Sequence, residues 1–130
     1  MNRRIGIVAL TAAGILAISR LSAHEGHEHG KADKSDVTIQ GEVLDMACYM
    51  SGEAKGPKHQ ECALKCVKEG APMGLLTKDG KVYLLVEDHA SPKAYAQTKD
   101  WAGSQVTIKG DKAAHGGLTA IIVESAEKAK

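Results

Sequence analysis

The chain has 130 residues, with 17 Lys and Arg against 16 Asp and Glu, a formal charge of +1. It carries one Trp, three Tyr and no Phe. This balance argues against a nucleic-acid binder, which needs dense positive charge and stacking rings, and the length allows one modest core.

The N-terminus reads as an export signal. Asn2-Arg3-Arg4 is basic, Ile5 to Ile18 is apolar, and Ser19 to Ala23 is a small-residue exit. Basic, apolar, then small is the order of a secretory signal. The apolar run falls short of the roughly 20 residues a membrane span needs. Cleavage is expected after Ala23, giving a signal over 1–23. The signal takes Arg3, Arg4 and Arg20, the only arginines, so 14 Lys then face 16 acids, a net of −2 with His neutral. The expected address is periplasmic or secreted, with no stable membrane anchor after cleavage and no nucleic-acid partner.

Residues 24–36 open with His24-Glu25-Gly26-His27-Glu28-His29-Gly30 and have no apolar periodicity. They read as a His-rich disordered tail, because they have nothing to bury. Residues 37–125 read as one domain, and 126–130 as a polar tail. Val37 to Asp45 alternates well enough for a strand, with Gly41 at a bulge or bend. Gly52 to Pro57 reads as a loop, and Lys58 to Lys68 as a short helix ended by Gly70 and Pro72. Met73 to Thr77 and Lys81 to Val86 form two strands, joined by Asp79-Gly80 in a hairpin turn. Ser91 caps a second helix, with Pro92 at its first position and Gly103 at its end. Gln105 to Lys109 is a strand, Gly110 to Gly117 a polar loop, and Leu118 to Val123 the last strand.

These elements predict a mainly β fold with two short helices. Five strands with a helix between the third and fourth follow the order of an OB-type barrel. A Cys/His helical segment is inserted between strands 1 and 2. The alternative is an open α+β sheet. The domain resembles small exported bacterial OB-fold-like proteins over about residues 37–124. The resemblance is carried by Gly41-Glu42-Val43-Leu44-Asp45, Cys48, His59 to Cys66, Gly70-Ala71-Pro72, Asp79 to Leu85, and Ala102-Gly103. It implies a fold and an address, and no catalytic residue carries over with it.

The chemistry concentrates in the insertion. His59, Cys62 and Cys66 are spaced i, i+3, i+7, which on a helix places them within roughly 60° of one another. Cys48 precedes them across a loop long enough to fold back. Three sulfurs and one imidazole make a four-ligand set for zinc, or for copper(I), which prefers soft donors. Met46, Met50 and Met73 surround the segment and tilt the choice toward copper. Two other readings of the cysteines stand beside this one. Exported cysteines usually pair, so Cys48 could bridge to Cys62 or Cys66 and leave one thiol over. Alternatively, Ala63 and Val67 share the arc, which would make the cysteines core residues.

The His-rich tract offers a second, weaker class of ligands: His24, His27 and His29, with the free amine of His24 after cleavage. His89 and His115 are isolated. Neither a thioredoxin-type Cys-x-x-Cys nor a nucleophile elbow occurs, so no enzymatic activity is expected. The expectation is a binding protein that sequesters or delivers copper or zinc, with the metal ion and a second envelope protein as partners. An OB-type interaction module with structural cysteines is the alternative, and a thiol redox protein the third reading.

Overall fold

The computed structural model describes residues 34–130. The expected signal over 1–23 lies outside them, as do His24, His27 and His29. The elements run β1 (Ser35–Asp45), α1 (Met46–Gly52), a 3-10 turn (Pro57–His59), α2 (Gln60–Lys68), β2 (Met73–Leu76) and β3 (Val82–Glu87). They continue with α3 (Pro92–Thr98), a second 3-10 turn (Lys99–Trp101), β4 (Gln105–His115) and β5 (Leu118–Lys128). Among the described residues, no helix is long and apolar enough to cross a membrane.

The five strands close into a barrel in the order β1-β2-β3-β5-β4. β1 is the strand that closes it. Its C-terminal half pairs with β2, as in Val43 opposite Leu75, and its N-terminal half with β4, as in Ile39 opposite Ile108. Every pairing is antiparallel except β3 with β5, which is parallel. A parallel neighbour needs a crossover, and α3 with the second 3-10 turn and β4 supply the connecting chain. Closure removes the open-sheet alternative and leaves no free sheet edge to aggregate.

Alternation along the strands fills the interior. Val43, Leu75, Leu85, Val106, Ile108, Ile121 and Val123 are all buried there. α2 lies against this core through Ala63 and Val67, which are 2% and 0% exposed. Burying one such valine contributes about 1.5–3 kcal/mol, enough to fix which face of the helix points inward. The thiols of the same helix are thereby left facing outward: Cys62 is exposed and Cys66 half-buried.

Several elements differ from expectation. Among the described residues there are three α-helices where two were expected. α1 buries no residue, so no amphipathic pattern announced it. The expected helix over Lys58 to Lys68 starts as a 3-10 turn at Pro57, and His59 sits at the N-cap of α2 rather than inside it. Ser91 holds the cap position of α3 but makes no side-chain capping bond. The bulge falls between Lys109 and Gly110, not at Gly41, which pairs regularly with Val106. β4 and β5 run on as an 11-residue hairpin pair, turning at Gly116-Gly117. At the ends, Ser35 and Asp36 already pair with β4, and Ala126 lies opposite Ile108 and packs on the core.

One glycine fixes how α2 is seated. Gly103 has φ +73°, and a Cβ there would lie 2.7 Å from the Gln60 Cα at the start of α2. Its amide donates to the Val43 carbonyl at 2.7 Å, so the loop cannot retreat cheaply. Gly103→Ala is expected to destabilise the fold by about 1–3 kcal/mol through left-handed strain alone. The clash should also displace α2. Chemical denaturation and a metal-affinity measurement on the same variant check both effects; unchanged stability would contradict this account of the helix seat.

Candidate metal centre

Asp45, the last residue of β1, organises the site. It is 1% exposed and caps α1, its Oδ1 accepting from the Ala47 amide at 2.9 Å and the Cys48 amide at 3.5 Å. Capping aims the first turn of α1, and with it Cys48, across the top of α2. The Met46 amide donates to the Pro72 carbonyl at 3.0 Å, tying the start of α1 to the chain that leaves α2.

α2 is tied down at both ends. Gln60 Nε2 donates to Ser104 Oγ at 2.7 Å. At the other end the Ala71 amide donates to the Cys66 carbonyl at 2.9 Å. The preceding loop is held by the Gly56 amide, which donates to Glu42 Oε1 at 2.6 Å. Each tether joins the inserted segment to the barrel or to its own exit, so the side chains it presents sit on a fixed frame.

The three thiols converge. Cys62 Sγ and Cys66 Sγ are 4.0 Å apart, as i and i+4 on α2 dictate, and Cys48 Sγ lies within 4.8 Å of both. All three are free thiols. Thiolates bound to one zinc sit about 2.3 Å from it, so the trio needs only a small contraction to close on an ion.

His59 does not complete that trio. It belongs to a second, overlapping group, in which ligand atoms of Asp45, Cys48 and His59 also lie within 4.8 Å of one another. Pro57 begins a 3-10 turn that ends at His59, so His59 stands at the N-cap of α2 and not within the helix that carries Cys62 and Cys66. Cys48 is common to both groups. Asp45 was not singled out as a ligand from sequence; its role depends on burial and on the α1 cap, neither of which has a local signature.

The methionines divide by environment. Met73 is fully buried in the barrel core, Met46 packs over Gly74, and Met50 is 74% exposed. Two of the three thioethers counted toward copper are therefore packing groups. His89 and His115 are exposed and belong to neither ligand group.

The electrostatics follow from crowding. The Asp45 carboxylate beside it pushes the Cys48 thiol up to about 12, with burial, the Asp45 charge and the neighbouring sulfurs adding to the effect. Burial pushes Cys66 up as well, reinforced by the Cys62 thiol and by Asp45. For Asp45, burial acts upward but is outweighed by the Cys48 thiol, the Ala47 and Cys48 amides and the Cys66 thiol, so its carboxyl ends below its ordinary value. Without a cation, Cys48 and Cys66 hold their protons and Asp45 holds the charge. Comparison of the chain with family models, with curated proteins and with solved structures finds no match.

Proposed function

We propose that this protein binds a soft transition metal, copper(I) or zinc, through Cys48, Cys62 and Cys66, and sequesters or delivers it in the bacterial envelope. The observation that carries this reading is the convergence of three free thiols, drawn from two helices, within 4.8 Å of one another. Thiolate ligands select copper(I) and zinc over harder cations. Exposure of Cys62 leaves the ion reachable by a partner, which suits delivery.

The barrel supports a finer assignment of the scaffold. A closed order β1-β2-β3-β5-β4, with β3 parallel to β5 and a helical insertion after β1, fits an OB-type barrel. Such a barrel supplies a rigid rim for loops that bind. The address rests on the N-terminal basic, apolar and small-residue order, and on the resemblance to exported bacterial OB-fold-like proteins. Intact mass of the secreted or periplasmic protein is expected to start at His24; recovery of the whole chain from membranes would contradict export with cleavage.

Metal content under reducing conditions, with a free-thiol count, tests the binding reading. A bound ion that masks three thiols supports it. Metal-free protein with a Cys62 to Cys66 disulfide that turns over with a thiol reductant would favour redox chemistry instead.

Affinity should rise with pH. A raised thiol pKa means that binding must expel protons at neutral pH, and each released proton steepens the rise by about tenfold per pH unit. Chelator competition between about pH 6 and about pH 8 measures this. The metal-free fold has the opposite trend in alkali. Cys48 and Cys66 hold their protons more tightly than the unfolded chain does, so stability is lost as pH climbs above the ordinary 9.0, for Cys48 up to about 12. A flat affinity profile would argue against thiolate ligation.

A further inference from the structure

The second ligand group is the feature that metal capture by three thiols does not use. Asp45 Oδ2 and His59 Nε2 are both buried and both lack a hydrogen-bond partner, and they are the only described side-chain atoms in that condition. Buried polar atoms are nearly always paired, so two orphans in one cluster point to a missing ligand. Among the described residues Asp45 also has no cation. None of the ion pairs among the described residues involves it, although its side chain is almost wholly buried. The Ala47 and Cys48 amides meet Oδ1, while Oδ2 keeps its lone pairs for a ligand.

We propose that Asp45, Cys48 and His59 form a second coordination position, for a borderline divalent cation of the zinc class, joined to the first through the Cys48 thiolate. This rests on the binding reading above and extends it. Oxygen, sulfur and nitrogen donors from Asp, Cys and His are the set that zinc accepts. The position meets the needs of both orphans, since a cation takes the lone pair of His59 Nε2 and the open oxygen of Asp45. Charge agrees with two ions. Three thiolates and one carboxylate carry four negative charges; one divalent cation leaves half of them, and two neutralise them while His59 binds as a neutral ring. As metal–sulfur bonds form, the thiol protons pass to water and no electron is transferred.

The test is a zinc titration of the reduced whole chain carrying His24→Ala, His27→Ala and His29→Ala, which removes the N-terminal imidazoles. Stoichiometry is read by native mass spectrometry and affinity by chelator competition. Two equivalents are expected. Asp45→Asn and, separately, His59→Ala should each lose the second equivalent while one equivalent stays bound. Asn caps a helix as well as Asp does, so Asp45→Asn keeps α1 in place. His59→Ala strands no partner, because Nε2 has none. Cys48→Ser should impair both positions, and the Cys62→Ser, Cys66→Ser pair only the first. One equivalent weakened by both Asp45→Asn and His59→Ala would place all five groups around a single ion and overturn the second position. One equivalent indifferent to both would also overturn it, while sparing the three-thiol site. No binding at all would overturn both readings together.

Discussion

Cys62→Ser or Cys66→Ser is expected to weaken copper(I) or zinc binding by more than about 100-fold. Loss of an outer-shell partner alone typically costs 10–100-fold, and these residues are proposed as direct ligands. Ser is nearly isosteric with Cys but supplies a hard oxygen that stays protonated at neutral pH, so it neither matches a soft ion nor neutralises its charge. The fold should tolerate both changes. Cys62 is exposed and Cys66 half-buried, while the helix is anchored through Ala63 and Val67 on the adjacent face. Thermal stability of the metal-free variants should therefore stay close to that of the parent, and the loss should appear only in metal affinity. Comparable destabilisation of the metal-free protein would identify the cysteines as packing residues instead.

The second large effect concerns the barrel. Ile108→Ala is expected to cost about 2–5 kcal/mol. Ile108 is fully buried on β4, opposite Ile39 on β1 and Ala126 on β5, so it faces the interior beside the strand that closes the barrel. Removing most of its side chain forfeits apolar burial and leaves a void that a closed barrel cannot collapse without breaking strand pairing. For a domain of this size each kcal/mol corresponds to about 4–8 °C in Tm, so a fall of roughly 8–40 °C should be seen by calorimetry. A loss below about 1 kcal/mol would mean that the site relaxes freely and that the barrel does not close around it.

Sequence made much of this barrel visible because its signals are local. Alternation from Val37 to Asp45, the Asp79-Gly80 turn between two β-rich runs, and Pro92 with Gly103 around a helix are short-range patterns with direct physical meaning. The long β4–β5 hairpin was not visible. Asp111, Lys112 and His115 read as a polar loop, yet each finds a partner across the ladder, and a pairing partner is a non-local property. α1 was hidden for a related reason: it is seven residues long and buries none of them. The thiol trio was half legible. The spacing of Cys62 and Cys66 on a helix fixes their proximity, whereas the return of Cys48 depends on the Asp45 cap and on the Met46 tether to Pro72. Asp45 looks like an ordinary strand-end acid until its burial is known, and His59 looks like part of a helical stripe until Pro57 imposes a 3-10 start.

X-ray absorption at the zinc edge of the reduced chain, loaded with one equivalent, tests the central claim most directly. Zinc–sulfur bonds of about 2.3 Å separate clearly from zinc–nitrogen and zinc–oxygen bonds of about 2.0–2.2 Å. The three-thiol site predicts a first shell dominated by three sulfurs, reduced to two in Cys48→Ser. A shell of nitrogen and oxygen alone, unchanged by Cys48→Ser, would contradict it.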